Sequence, residues 1–383
     1  MQGGTRTAIK GGGEQLGADG DDGLKLLKTC FDKNEINKGR QDELDIVKGL
    51  AIIFMVWCHT FDSLGGDRTT PIGFLVDCIL GGPFAAPVFM ICMGIGICYS
   101  RNNTPKEMAQ RGLSIFLMGY FLNICRYTIP TLITYLISGD STYLQTIIPQ
   151  FFVVDILQFA GLSFLLIALL RKLNISMWWG LVFAGVLSVL GTLLIDKATG
   201  VTIIDYIFGL FWKTNENAYF TLFHWFAYPV VGCIFGQYLR RCVDKKVAYK
   251  FFLILFPIVG LLEIAIYFFG YGLAGDTVQY FYMNPVNIIF CTVLAAAWTG
   301  VWYLLRMRLP NMKIGYLQKL SRHINNVYCI HWVMIGIACI IREFTWKDST
   351  FGLLPATLIA AVFLIASEWI ADWYTNRKKA KKA

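Results

Sequence analysis

Apolar runs of about twenty residues recur along nearly the whole chain, near 44–63, 74–99, 113–137, 149–170, 177–195, 218–239, 250–270, 286–305, 323–341 and 352–373. Hydrocarbon offers no partner to a backbone N–H or C=O, so a chain made of such runs must close those bonds within helices or within a barrel. Runs of this length fit helices, because about twenty residues rising 1.5 Å each cross a bilayer core. With 56% hydrophobic and only 15% charged residues among 383, a soluble domain is excluded. The expected fold class is all-α, a polytopic membrane bundle of about ten transmembrane helices.

Basic residues orient the bundle. With the N-terminus inside, the cytoplasmic segments hold 26 of the 34 Lys and Arg and the opposite loops hold 5, while Lys48, Arg126 and Lys250 lie within spans. The positive-inside rule then puts both termini in the cytoplasm. The net charge of +9 reads as topology, and the basic tail from Arg377 would attract anionic lipid rather than nucleic acid. Residues 1–23 are Gly-rich and polar with no apolar h-region, so a disordered tail and no cleavable signal peptide are expected. Leu24, Leu27 and Phe31 recur at helical spacing, which suits either a short surface helix or a solvated linker. The organisation expected is a cytoplasmic tail and juxtamembrane segment over 1–43, one transmembrane domain over 44–373 and a basic cytoplasmic tail over 374–383. Most of the eleven cysteines fall inside spans without paired ligand spacing, so they read as small core residues and no metal is expected. No 20–50-residue repeat is visible.

Within the first run, Asp45, Lys48 and His59 stand out. Eleven helical positions between Lys48 and His59 make roughly 1100°, close to whole turns, so the two side chains share a stripe about 16 Å apart. A lone intramembrane His is more often a structural hydrogen-bonding group, a lone Lys near a helix end snorkels to the surface, and Asp45 one turn from Lys48 can simply pair with it. Together they suit a long anionic donor whose phosphates stay at the inner face while its reactive end reaches inward. Acyl-coenzyme A has that shape.

Other polar groups lie at membrane depth, where they are costly and usually face a bundle interior. Asn123 and Arg126 share the third span. Arg126 reads equally as one side of a buried ion pair, with Asp155 or Glu263, and as a ligand-binding cation. Asp155 and Gln158, and likewise Tyr328 and His331, are three apart and share a helix face, and Glu263 sits mid-span. His224 and Trp225 open the sixth span near the outer surface, where an interfacial aromatic belt is favoured over a wall that stacks on sugar rings. Gly81-Gly82-Pro83 and Pro87 should break the second span, giving an outer re-entrant piece around 72–81 followed by a helix from Phe84 to Tyr99.

Asp45-x2-Lys48-Gly49 followed by an apolar run to His59 resembles the first helix of integral-membrane acyltransferase family 3, whose members carry an Arg ten residues removed from a His. Here Lys48 stands in for that Arg, which keeps the charge and loses planar bidentate recognition of phosphate. Tyr328 and His331 resemble that family's late Tyr-x2-His, whereas Met93 stands where it tends to have Ser. The stretches Pro87-Val-Phe89-Met-Ile-Cys-Met93-Gly94, Arg111-Gly112 with Gly119 and Asn123, and Ile156-Leu157-Gln158-x2-Gly161 are similar to the related heparan-α-glucosaminide N-acetyltransferase branch. That branch has a histidine in the loop after its first helix, and the corresponding loop, Ser63 to Gly73, has none.

The resemblance implies an acyltransferase that moves an acyl group, acetyl foremost, from cytoplasmic acetyl-CoA as co-substrate to a hydroxyl or amine of an extracytoplasmic glycan or amino sugar. His59 would be the general base, with Asp45 or Asp62 orienting helix-one groups. An acyl-His59 intermediate is the competing route, with Cys58 a weaker nucleophile. Lys48, Arg101, Arg111 and Arg126 would hold the donor, with Lys106 at the same face. Asn123 or Tyr328 would steady the oxyanion, Asp155, Gln158, Glu263 and His331 would support the cavity, and His224 and Trp225 would face the acceptor. Expected partners are acyl-CoA, a carbohydrate acceptor and membrane lipid, with a homodimer open, in a plasma-membrane setting. The alternative is a proton-coupled secondary transporter or exporter built on the same intramembrane His, Asp, Glu and Arg groups.

Overall fold

A computed structural model describes residues 30–67, 69–101, 103–270, 280–345 and 351–380. Among them the β pairing is limited to two isolated bridges, Phe31 with Cys242 and Val154 with Ala218, and the fold is all-α. The helices are α1 (Asp42–Ser63), α2 (Pro71–Phe74), α3 (Ala86–Tyr99), α4 (Pro105–Asn123), α5 (Ile129–Ser138), α6 (Thr142–Phe151), α7 (Ile156–Lys172), α8 (Met177–Leu194), α9 (Thr202–Phe208), α10 (Leu222–Trp225), α11 (Ala227–Arg241), α12 (Lys245–Phe268), α13 (Pro285–Arg308), α14 (Gly315–Thr345) and α15 (Leu353–Ala380). A π-helical segment, Leu75–Leu80, continues α2, and a second, Ile124–Thr128, joins α4 to α5.

Among the described residues, seven continuous helical stretches are long and apolar enough to cross a membrane, namely α1, the α4–α5 unit, α8, α12, α13, α14 and α15. The other three expected spans are interrupted. The second breaks after Leu80 at the Gly-Pro turn and resumes at α3, as the Gly81 to Pro87 sequence requires. The fourth cannot run through Asp155, because this residue is extended and caps α7 with its own side chain. The sixth divides into the single turn α10 and the 15-residue α11. The surface helix considered for Leu24, Leu27 and Phe31 lies outside the described residues, except that Phe31 forms the bridge to Cys242.

Helix α1 is the centre of the bundle. Of its apolar window 61% is buried, against 11% for α12, which lies at the periphery of the bundle. It packs against α3, α13, α14, α15 and the first π segment. Its first turn holds three acids, favourable at a helix N-terminus, and each ties down a different helix. Asp42 pairs with Arg306 of α13 at 3.1 Å, Glu43 with Lys245 of α12 at 2.8 Å, and Asp45 accepts from Ser321 Oγ of α14 at 2.7 Å. Two glycines permit the closest approaches of α14. A Cβ at Gly49 would lie 2.8 Å from the Leu317 carbonyl oxygen, and one at Gly336 would lie 2.8 Å from that of Arg126. Both obstacles are backbone and cannot rotate away.

Candidate active site

Two cavities flank α1. The larger, about 1110 Å³, is lined by Met55, Cys58, His59 and Asp62 of α1, Asp77 of the first π segment, Arg126 of the second, Asp155 at the start of α7, Glu263 of α12, and Tyr328 and Trp332 of α14. The smaller, about 380 Å³, is lined by Lys48, Phe89, Met93, Arg111, Ser321, Arg322, His323, Asn325 and Asn326. Lys48 and His59 thus open into different cavities, about 16 Å apart along one helix. Lining residues of the two lie close together in sequence on both α1 and α14. On α14, Asn326 lines one and Tyr328 the other, with the fully buried Val327 between, and on α1 the fully buried Ile52 lies between Lys48 and Met55.

His59 is held from two sides by α14. Its Nδ1 lies 3.0 Å from His331 Nε2, and His331 Nδ1 lies 3.0 Å from the Val327 carbonyl oxygen. Trp332 covers a face of the His59 ring at 4.4 Å between centroids. Tyr328, His331 and Trp332 meet one target because positions i, i+3 and i+4 share a helix face.

Arg126 is enclosed nearby. Its Nη1 is 2.6 Å from Asp155 Oδ2, its Nε and Nη2 donate to Asn123 Oδ1 at 3.3 and 2.9 Å, and its guanidinium is 4.5 Å from the ring centroids of both Tyr127 and Trp332. Tyr328 donates to the same Asp155 Oδ2 at 3.0 Å, while Asp155 Oδ1 accepts from Ile156 N at 2.7 Å. Gln158 completes the cap by accepting from Asp155 N at 3.2 Å, so it supports Asp155 without lining the cavity. Of the two partners considered for Arg126, the structure has Asp155, and Glu263 lines the same cavity from α12.

These bonds change two expectations about polar groups. Both Asn123 amide hydrogens go to carbonyls, of Phe151 at 2.9 Å and Val153 at 2.8 Å, and the Tyr328 hydroxyl proton goes to Asp155. Neither donor is available to an oxyanion in this state. His224 and Trp225 are fully buried rather than set in an outer belt. The His224 ring bonds Thr221 Oγ1 at 2.7 Å, Trp225 Nε1 donates to the Phe281 carbonyl at 2.8 Å, and neither lines either of the two cavities flanking α1. Cys58 does line the large cavity, and its thiol donates to Asp77 at 3.2 Å.

At the other end, Asp45 is paired with Arg40 and lies 3.4 Å from Lys48 Nζ. Arg111 joins Lys48 in the small cavity, whereas Arg101 is exposed and does not line it. Sequence reasoning missed Arg322, which joins them, because the hydropathy of this stretch rises only after residue 323 while α14 begins at Gly315. Asp77, Tyr127 and Trp332 were also missed. Trp332 carried the one usable signal, a place on the Tyr328–His331 face. Among the described residues no group of three or more His, Cys, Asp or Glu is placed to hold a metal ion.

Among the described residues, seven membrane-length apolar helices with polar and titratable side chains lining cavities between them define a multi-pass integral membrane protein. A family model described as heparan-alpha-glucosaminide N-acetyltransferase, catalytic, matches residues 40–270, and the chain belongs to that family. No curated protein matched the chain, and no solved structure did. The matched stretch carries Lys48, His59, Arg126, Asp155 and Glu263 and ends before α13, so the α14 half of the site lies outside it.

Proposed function

We propose that the protein transfers an acetyl group from cytoplasmic acetyl-CoA to an amine or hydroxyl of a sugar presented from the extracytoplasmic side, with His59 as general base. The observation that carries this reading is the pair of cavities on one helix, with Lys48, Arg111 and Arg322 around one and His59 on the wall of the other. A basic cavity of about 380 Å³ suits donor phosphates as point charges and forks. A cavity of about 1110 Å³ exceeds what a small ligand alone needs and leaves room for a sugar beside the acyl end of the donor.

In the step itself, the acceptor nitrogen or oxygen bonds to the thioester carbonyl carbon and the C–S bond breaks. The acceptor's proton goes to His59 and then to the departing thiolate. The acyl arm must pass the wall at Ile52 and Val327, so the wall opens during turnover. Arg126 and Asp155 hold the scaffold around His59 rather than the donor phosphates, since each is already engaged with the other.

The test is acyl transfer by the purified full-length protein, using labelled acetyl-CoA with a panel of amino sugars and glycans. Transfer by the parent, its loss in His59→Ala and weaker donor binding in Lys48→Ala are expected. Unchanged transfer in His59→Ala would remove His59 from the chemistry. Absence of donor binding together with proton-driven flux in liposomes would instead make the protein a transporter.

A further inference from the structure

The His59–His331 pair has a geometry that constrains where its protons lie. The ring planes are 9° apart and the centroids 5.4 Å apart, while Nδ1 of His59 and Nε2 of His331 are 3.0 Å apart. A centroid separation exceeding the N···N distance by about two ring radii puts the rings edge to edge, so the pair is joined by one in-plane N–H···N bond rather than by stacking.

The direction of that bond follows from the far end. Val327 contributes a carbonyl oxygen, which can only accept, so His331 Nδ1 carries a proton. A neutral imidazole has one donor and one acceptor nitrogen, so His331 Nε2 accepts. His59 must then donate from Nδ1, and its Nε2 is left without a proton. His331 is fully enclosed, where an imidazolium with only a carbonyl and an imidazole as bonding partners would be costly. Trp332 over the ring face keeps His59 in this plane.

We propose that His331 is a positioning residue that relays the Val327 carbonyl to His59 and fixes the tautomer in which His59 presents an unprotonated Nε2 to the large cavity. The proposal deepens the acyltransferase reading and rests on it for its kinetic consequence. With Nε2 free, His59 takes the acceptor's proton there, and the imidazolium that forms keeps its Nδ1–H bonded to His331. The proton leaves from Nε2 to the thiolate, and His331 ends the cycle unchanged. Were His331 doubly protonated instead, His59 Nδ1 would have to accept and its Nε2 would point a proton at the acceptor. That tautomer cannot act as a base.

The chain has four histidines, so the full-length protein carrying nitrogen-15 histidine in nanodiscs gives a ring-nitrogen NMR spectrum that single His→Gln variants can assign. The expected spectrum shows a protonated Nδ1 and a bare Nε2 on both His59 and His331 at neutral pH. A proton on His59 Nε2, or two protons on His331, overturns the proposal. In His331→Phe the His59 signal is expected to move towards the Nε2–H form, with kcat falling about 100- to 10,000-fold and the KM for acetyl-CoA within twofold of the parent. His331→Gln, whose amide oxygen can accept from His59 Nδ1, should restore the Nδ1–H signal and most of the rate. A Phe variant with parental tautomer and parental kcat contradicts the assignment. Because the tautomer is read without turnover, a parent protein that fails to transfer acetyl would count against the proposed function alone.

Discussion

Arg126 shows how a charge is tolerated deep in this bundle. Every face of its guanidinium is engaged, by Asp155, by Asn123 and by two aromatic rings, and Asp155 in turn holds Tyr328 and caps α7. Removing one member of a buried pair leaves the other uncompensated, at about 3–5 kcal/mol. Asp155→Leu should therefore destabilise the folded protein by that order in thermal unfolding in detergent, and Arg126→Met with Asp155→Leu together should lose less than the sum of the two single variants. At the opposite end, Lys48→Ala should raise the KM for acetyl-CoA about tenfold, the worth of roughly 1.4 kcal/mol, with kcat nearly unchanged, whereas Lys48→Arg should keep parental KM. Steady-state kinetics separate these outcomes. The spacing of Lys48 and His59 was legible in the sequence because helical periodicity is local. The pairing of His59 with His331 was not, since 272 positions separate them and only the α1–α14 packing brings them together.

Among the described residues two segments are π-helical, and each carries a charged residue. The π segments Leu75–Leu80 and Ile124–Thr128 hold Asp77 and Arg126, both lining the large cavity. An extra residue in one turn re-aims the side chains around it, a device found often at functional sites. Hydropathy reads only the apolar character of such a turn, so neither segment could be found in the sequence, although the Gly81 to Pro87 break beside the first one could. At Gly336 the fit of α14 against the second π segment leaves no room for a methyl group. Gly336→Ala should cost about 1–3 kcal/mol of stability and reduce transfer by displacing Trp332 and His331 from His59. The wall between the cavities yields a different outcome. Ile52→Trp should cut kcat at least tenfold while acetyl-CoA still binds, because the donor's phosphates remain seated and its acyl end is kept from His59. Equilibrium donor binding alongside turnover tests this, and a Trp variant with parental kcat would show that the acyl group takes another route.

For the molecule as a whole, the all-helical membrane fold was legible because a bilayer admits few alternatives. The depth of α1 in the bundle was not, since its mean hydropathy, 1.6, is below the 2.4 of the peripheral α12. What distinguishes it is the set of acids in its first turn and the glycine at its contact with α14, which become meaningful only against their partners. The basic-residue distribution predicts that a cysteine placed at Asp140 is labelled from outside by an impermeant reagent and one at Lys246 is not. External labelling at Lys246 would invert the orientation. In the proposed reaction acetyl crosses from a donor on one side to an acceptor on the other through the His59 centre. That crossing is tested by sealing the full-length protein in liposomes of known orientation, with labelled acetyl-CoA only on the Lys48 side and an impermeant sugar acceptor only on the other. Acetylated sugar should accumulate in the acceptor compartment with the parent and not with His59→Ala, and product forming only when both substrates share one compartment would contradict it.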